Sequence, residues 1–205
     1  IGHTEFKDSP VGKIPVGWRG ECLQDVLLEL VDCEHKTAPY VENSEYLVVR
    51  TSNVRDGRLQ HQDMKFTTLE GYNEWTKRSV PIEKDILFTR EAPAGESCLV
   101  PDGKKVCLGQ RMVLLKTNPH TTDEKFLSWF LQSDFAKKII YKLSIGTTVT
   151  RINIEDIYKV MTPVPPLPEQ QKIASILSSM DSYIEEKQRK LEQTQSLKKS
   201  LMQDL

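Results

Sequence analysis

"PVPPLPEQQKIASILSSMDSYIEEKQRKLEQ", residues 163–193, decides how this chain is built. Four prolines fall in its first six positions, and an unbroken helical pattern follows. From Glu169 onward, Ile173, Leu177, Met180, Ile184, Lys187, Leu191, Thr194, Lys198, Leu201 and Leu205 recur at alternating steps of four and three. Seven of these ten are apolar, which is a heptad stripe with polar interruptions. Pro168 suits a first helical position, where a missing N–H costs nothing. At about 1.5 Å per residue the segment predicts a rod of roughly 55 Å. Such a rod outruns a small body, so its stripe calls for another helix, from a second chain or from sequence not present here. The alternative is a tail folded back on its own domain. The expected division is a body over residues 1–165 and a long coiled-coil-forming C-terminal helix over 166–205.

Working outward, the body reads as α+β. Leu23, Val26, Leu27 and Leu30 have helical spacing, "EYLVVRTSNV" and "DILFTR" read as strands, and "RDGR" is a turn. A short helix holds Trp75. In "ESCLVPDGKKVCLG" two apolar runs flank Pro-Asp-Gly, which predicts a β-hairpin continued by the strand "RMVLLKT". "TTDEKFLSWFLQSDFAKKIIYKL" predicts one amphipathic helix capped by Thr122, with Phe126, Leu127, Phe130, Leu131, Phe135 and Ile139 buried. A last short helix is expected after Asn153, and Trp18 is expected to pack on the body.

Composition narrows the function. The 205 residues are 38% hydrophobic and 28% charged, as in a water-soluble globular chain. No apolar run approaches the roughly 18 to 20 residues of a membrane span. The first residue is Ile1, which predicts that the natural start is trimmed or lies upstream. Four cysteines without CxxC or zinc spacing are expected to be reduced thiols of a cytoplasmic protein, although Cys98 and Cys107 could face each other across the hairpin. A net charge of −1 does not advertise nucleic-acid binding, so any DNA surface must come from local clustering.

Chemistry is scarce. Phosphate-cradling glycine loops, a GxSxG elbow and HExxH spacing are all missing from the sequence, so no catalytic residue, metal or cofactor is expected. What remains is a scatter of residues suited to nucleic acid. These are His35, Lys36 and Thr37, then Arg50, Asn53 and Arg55, then Arg90, Arg111, Thr147, Thr148 and Arg151, with Arg58, Lys77, Arg78, Lys104 and Lys105 as further basic positions. Arginine forks onto guanine O6 and N7, asparagine reads adenine, and threonine holds phosphate. Arg90 and Arg111 stand out because each adjoins an apolar strand. Arg90 is the first choice for reading a base, because "FTREAPAG" follows its strand with a small-residue loop that admits DNA.

"GKIPVGW", "DCEHKTAPYVENSEYLVVRTSNVRDGRL", "KDILFTREAPAGESCLV", "GTTVTRINIEDIYKVMTPVPPLPEQQKIASIL" and "LKKSLMQDL" together resemble the specificity subunit of type I restriction–modification systems, from about Gly12 to the end. The most specific element is "PLPEQQKIA" running into a long helix. The resemblance implies a target-recognition domain that reads half of a split double-stranded DNA site. It also implies a spacer helix that pairs antiparallel with another, adenine-methyltransferase subunits held by the helices, and a restriction subunit that joins for cleavage. It further implies no catalysis and no cofactor in the chain itself. One recognition domain and one helix are about half of a full subunit, which fits either a half-subunit that homodimerises through the helix or a fragment. As a ruler, a rod of about 55 Å bounds the half-site spacing at roughly 16 base pairs. Two other classes remain open: a coiled-coil interaction module without a DNA role, and a stand-alone nuclease or methyltransferase component.

Overall fold

The computed structural model describes residues 2–146 and 149–203. The chain opens with a hairpin of β1 (Phe6–Ser9) and β2 (Gly12–Pro15), then β3 (Arg19–Cys22), a single helical turn α1 (Leu23–Val26) and β4 (Leu27–Asp32). There follow β5 (Tyr46–Val49), a short hairpin of β6 (Val54–Arg55) and β7 (Arg58–Leu59), β8 (Lys65–Thr67) and α2 (Leu69–Trp75). The centre of the body is β9 (Ile86–Thr89), β10 (Ser97–Leu99), β11 (Lys105–Leu108) and β12 (Met112–Thr117). The chain ends with α3 (Glu124–Gln132), α4 (Asp134–Leu143), α5 (Ile154–Tyr158), β13 (Met161–Val164) and α6 (Leu167–Gln203). No described helix is long and apolar enough to cross a membrane.

Two sheets share the core. An antiparallel sheet runs β10-β9-β12-β4, and a mixed sheet runs β11-β5-β8. Strand alternation divides β9 and β12 between the two sides of the first sheet. Ile86, Phe88, Val113 and Leu115 pack toward α3, α4 and α5, while Leu87, Met112 and Leu114 meet Leu47, Val49 and Val106 of the second sheet. Both faces are covered, which is why these strands are apolar at nearly every position. On the far side of the second sheet, Val48 and Cys107 lie under Tyr72 and Trp75 of α2.

Several expectations need correcting. The Pro101-Asp102-Gly103 turn forms, with Gly103 at φ +65°, but its arms do not pair. Instead, β10 runs antiparallel to β9, and β11 runs parallel to β5 in the other sheet. Cys98 and Cys107 therefore belong to different sheets, and all four cysteines are free. Leu27 and Leu30 belong to a strand, so the helical spacing at 23–30 holds for one turn only. The helix expected over 121–143 is two, because Ser133 leaves helical geometry at ψ 149° and its Oγ caps α4 by accepting from the Ala136 N–H. Asp123, not Thr122, caps α3. The break turns the buried face, so Ala136 and Ile140 are buried and Phe135 is 44% exposed.

α6 is fastened at its root. Gln170 is fully buried. Its side-chain amide donates to the Thr121 and Pro165 carbonyls, 2.8 Å each, and its oxygen accepts from the Asp123 N–H at 2.9 Å. Beside it the Trp18 indole donates to Glu169, and further along the helix the Trp129 indole donates to Ser178. The body-facing line of α6 is thus Gln170, Ala174, Ser178, Asp181 and Glu185. At about 100° per residue, the heptad stripe lies roughly a quarter turn away from it. Leu177, Met180, Ile184, Leu191 and Leu201 are 40–59% exposed. The first half of the rod therefore does pack on its own body, but the stripe does not. Leu205 lies outside the described residues.

Two outcomes are expected. Gln170→Ala leaves buried backbone groups without partners and should cost on the order of 3 kcal/mol, read as a fall in the denaturation midpoint. Gln170→Glu should be no better, since it brings an acceptor against two carbonyls. A change below about 1 kcal/mol for either would contradict this account of the root. Separately, burial pushes the Cys98 and Cys107 thiols up to about 12, and Cys33 is 2% exposed. At mildly alkaline pH a thiol reagent should therefore modify Cys22 quickly and the other three only on unfolding.

Candidate nucleic-acid interface

The antiparallel sheet ends at a cleft of about 260 Å³ lined by His35, Arg90, Glu91, Gln110, Arg111 and Arg151. Four separate segments meet there. Arg90 follows β9, and its N–H donates to the Arg111 carbonyl (2.8 Å) in the turn before β12. The Ile152 N–H donates to the Arg90 carbonyl at 2.9 Å, and Glu91 and Arg151 form a β-bridge. Core strands therefore set the spacing of the guanidinium-bearing positions.

Asp32, at the end of β4, holds the floor. Its two oxygens accept from Arg90 NH1 at 3.0 and 3.1 Å, and Oδ2 lies 2.8 Å from His35 Nε2. Arg78 grips the same loop through the Asp32 and Cys33 carbonyls and Glu34. His35, Ala92 and Arg111 all sit at positive φ (52°, 59° and 68°). Non-glycine residues are strained there, and such strain gathers at functional sites. Among the described residues Arg111 has one loose ion pair, 3.3 Å to Glu91, and its side chain is 56% exposed. Arg151 is exposed too.

Of the residues singled out in the sequence, His35, Arg90, Arg111 and Arg151 converge on this cleft. Lys36 and Thr37 are exposed on the adjoining loop. Arg90 does not have the open position expected of a base reader. It is 7% exposed, and its guanidinium is taken by Asp32 and the Ile152 carbonyl. Asn53 is fully buried, its side chain joining the Arg50 N–H and the Gln60 and Gln62 carbonyls. It braces a loop and has nothing left for adenine. Arg50 binds the Asp63 carbonyl, and Arg55 binds the Thr51, Val54 and Ala92 carbonyls. Arg55 thus supports the cleft rim from behind. Thr147 and Thr148 lie outside the described residues.

Sequence reasoning missed Asp32, Glu91 and Gln110. Gln110 was legible as a side chain able to read adenine beside Arg111. Asp32 was not, because its partner is 58 residues away. Asp32, Cys33 and His35 also bring three possible metal-ligand atoms within 4.8 Å of one another, a grouping their spacing did not suggest. The Arg90 guanidinium on both Asp32 oxygens opposes a cation there.

The profile of the family described as "Type I restriction modification DNA specificity domain" matches residues 15–194. The putative type I restriction enzyme MjaX specificity subunit of Methanocaldococcus jannaschii is 27% identical over 98% of this chain and 45% of its own length. The MjaVIII specificity subunit of the same organism is 26% identical over 98% and 48%. This chain spans about half the length of the curated relatives it matches. Among solved structures, the HsdS subunit of Thermoanaerobacter tengcongensis superposes with a TM-score of 0.62 at 19% identity, over 90% of this chain and 42% of that one. A chain from a type I restriction–modification complex gives 0.64 at 20% identity, over 96% and 46%. Its profile match, its relatives and its fold agree: the chain belongs to the type I restriction–modification DNA specificity family.

Proposed function

We propose that this chain reads one half of a bipartite double-stranded DNA site, with residues 1–165 as the recognition body and 166–205 as a spacer helix. The stripe on that helix pairs with a second helix, from another copy or from the missing half of a longer subunit. Adenine-methyltransferase subunits dock on the assembly, and a restriction subunit joins it in the cytoplasm. The observation that carries this reading is the cleft in which Arg111, Arg151, Gln110 and His35 are set at fixed spacing on a rim braced by the Asp32–Arg90 pair. Guanidinium and amide groups held this way match base edges and phosphates.

Base reading falls to Arg111, Gln110 and Arg151, and Arg90 keeps the rim in place. The chain contributes no catalysis. Among the described residues the Cys33 thiol is buried beside His35, itself paired with an Asp32 already held by Arg90, an arrangement that leaves no free base to activate the thiol. The near-neutral net charge fits a subunit whose partners supply much of the electrostatic grip on DNA.

Three outcomes test this. With the methyltransferase present, Arg111→Ala or Arg151→Ala should weaken DNA binding by about 1–3 kcal/mol. The preference at one base position relaxes if the side chain reads a base, and all sequences weaken alike if it holds phosphate. Unchanged affinity and motif for both variants would overturn the cleft assignment. Arg90→Ala should instead lower stability by on the order of 3 kcal/mol, as when one partner leaves a largely buried ion pair. The unmodified chain should sediment as a two-fold dimer at tens of micromolar, an order of magnitude at which modest self-association shows, and Ile184→Asp as a monomer. A monomeric unmodified chain would rule out homodimerisation.

A further inference from the structure

We infer that Arg58 is a positioning residue that sets the angle between the spacer helix and the recognition body, and thereby how strictly the distance between half-sites is read. The inference rests on the proposed role of α6 as a spacer. It arises from a basic residue that the sequence grouped with the DNA candidates and that the structure turns toward the rod.

The β6–β7 hairpin that carries Arg58 is fixed to the body at its turn. Its turn residues Asp56 and Gly57 both have positive φ, 49° and 77°. A side chain at Gly57 would run into the Gln132 amide, so the tip lies flat on the end of α3. The Asp56 N–H donates to Glu96 at 3.0 Å, and Glu96 is itself held by Lys137. From this platform the Arg58 guanidinium reaches α6. NH2 lies 2.9 Å from both oxygens of Asp181, and NH1 lies 2.5 Å from Glu185, one turn further on.

These side chains are 38–49% exposed, and exposed ion pairs add little to stability. Their effect here is leverage. The rod is held near Gln170, at Ser178 and at Asp181 with Glu185. Fifteen residues between the outer fastenings give a baseline of about 22 Å. Without Arg58 the baseline ends at Ser178 and shrinks to about 12 Å. About 33 Å of helix extends beyond Asp181. A swing of ten degrees at that point moves the far end by about 6 Å, nearly two base pairs at 3.4 Å each. A contact of small energy thus decides whether the ruler is sharp or blurred.

The test uses the whole assembly in cells and the purified chain outside them. Methylome sequencing of cells carrying Arg58→Ala should find the same two half-sites methylated. The ratio of methylation at gaps one base pair longer or shorter to that at the native gap should rise several-fold. Arg58→Glu should blur the gap likewise, and Arg58→Glu combined with Asp181→Arg should sharpen it again. Mere loss of structure would not be rescued in this way. In the purified chain, diluted with unlabelled protein, pulsed-dipolar distances between spin labels at Asp102 and Gln195 should broaden for Arg58→Ala at an unchanged melting temperature.

A gap profile as sharp as the unmodified protein's, or an unchanged distance distribution, overturns the inference. Failure of the charge exchange to restore the gap overturns it too. If the unmodified chain directs no bipartite motif at all, the spacer reading fails instead, and the distance distributions alone decide whether Arg58 sets the angle.

Discussion

A buried amide roots the long helix in the body of this molecule. Gln170 has one donor group and one acceptor, and it spends both on backbone that lacks other partners, the Thr121 and Pro165 carbonyls and the Asp123 N–H. Asp123 is also the N-cap of α3, so the same few atoms start α3 and anchor α6. A carboxylate could not do this, because two of the three contacts need a donor. The proline run ahead of it removes alternatives. Pro165 and Pro166 have no N–H to give, and the strand β13 stops where the helix must begin. The Glu-Gln pair after Leu167-Pro168 is therefore a mortise for the rod, with Glu169 gripping Trp18 on one side and Gln170 filling the joint on the other.

What was legible in the sequence was what local physics decides. β9 and β12 were visible as apolar runs, α2 as a short helix holding Trp75 and α6 as a long heptad pattern. What was not legible was partner choice. The Pro101-Asp102-Gly103 turn is locally sound, yet Lys105–Leu108 finds its edge beside Tyr46–Val49, about sixty residues back, a choice made by contacts far apart in sequence. Ser133 shows the same limit at smaller scale. A serine inside an amphipathic pattern can ride through a helix or end it by capping the next, and here the packing of Ala136 and Ile140 against the core selects the break.

The candidate site divides along the same line. Arginines were recognisable as a type, but not which were spent internally. Arg90 faces Asp32 and Arg58 faces Asp181 and Glu185, so two of the basic residues grouped with the DNA candidates are fasteners. Those that remain open, Arg111 and Arg151, border the strained backbone at His35, Ala92 and Arg111. Asn53 has the side chain of an adenine reader and the surroundings of a core bracket. Residue type narrows the candidates, and burial decides among them.

The pairing of β3 with β13 has a consequence for how such a protein can change. Val164 lies opposite Arg19, and Met161 opposite Cys22, so the chain enters and leaves the body side by side, about 5 Å apart across one ladder. Nearly everything between those strands is a closed loop hung from a two-stranded clasp. Any other domain whose ends meet at the same spacing could hang there with the rod, its root and its stripe undisturbed. Under the proposed function, evolution could then trade whole recognition bodies at two breakpoints and need not rebuild an interface each time.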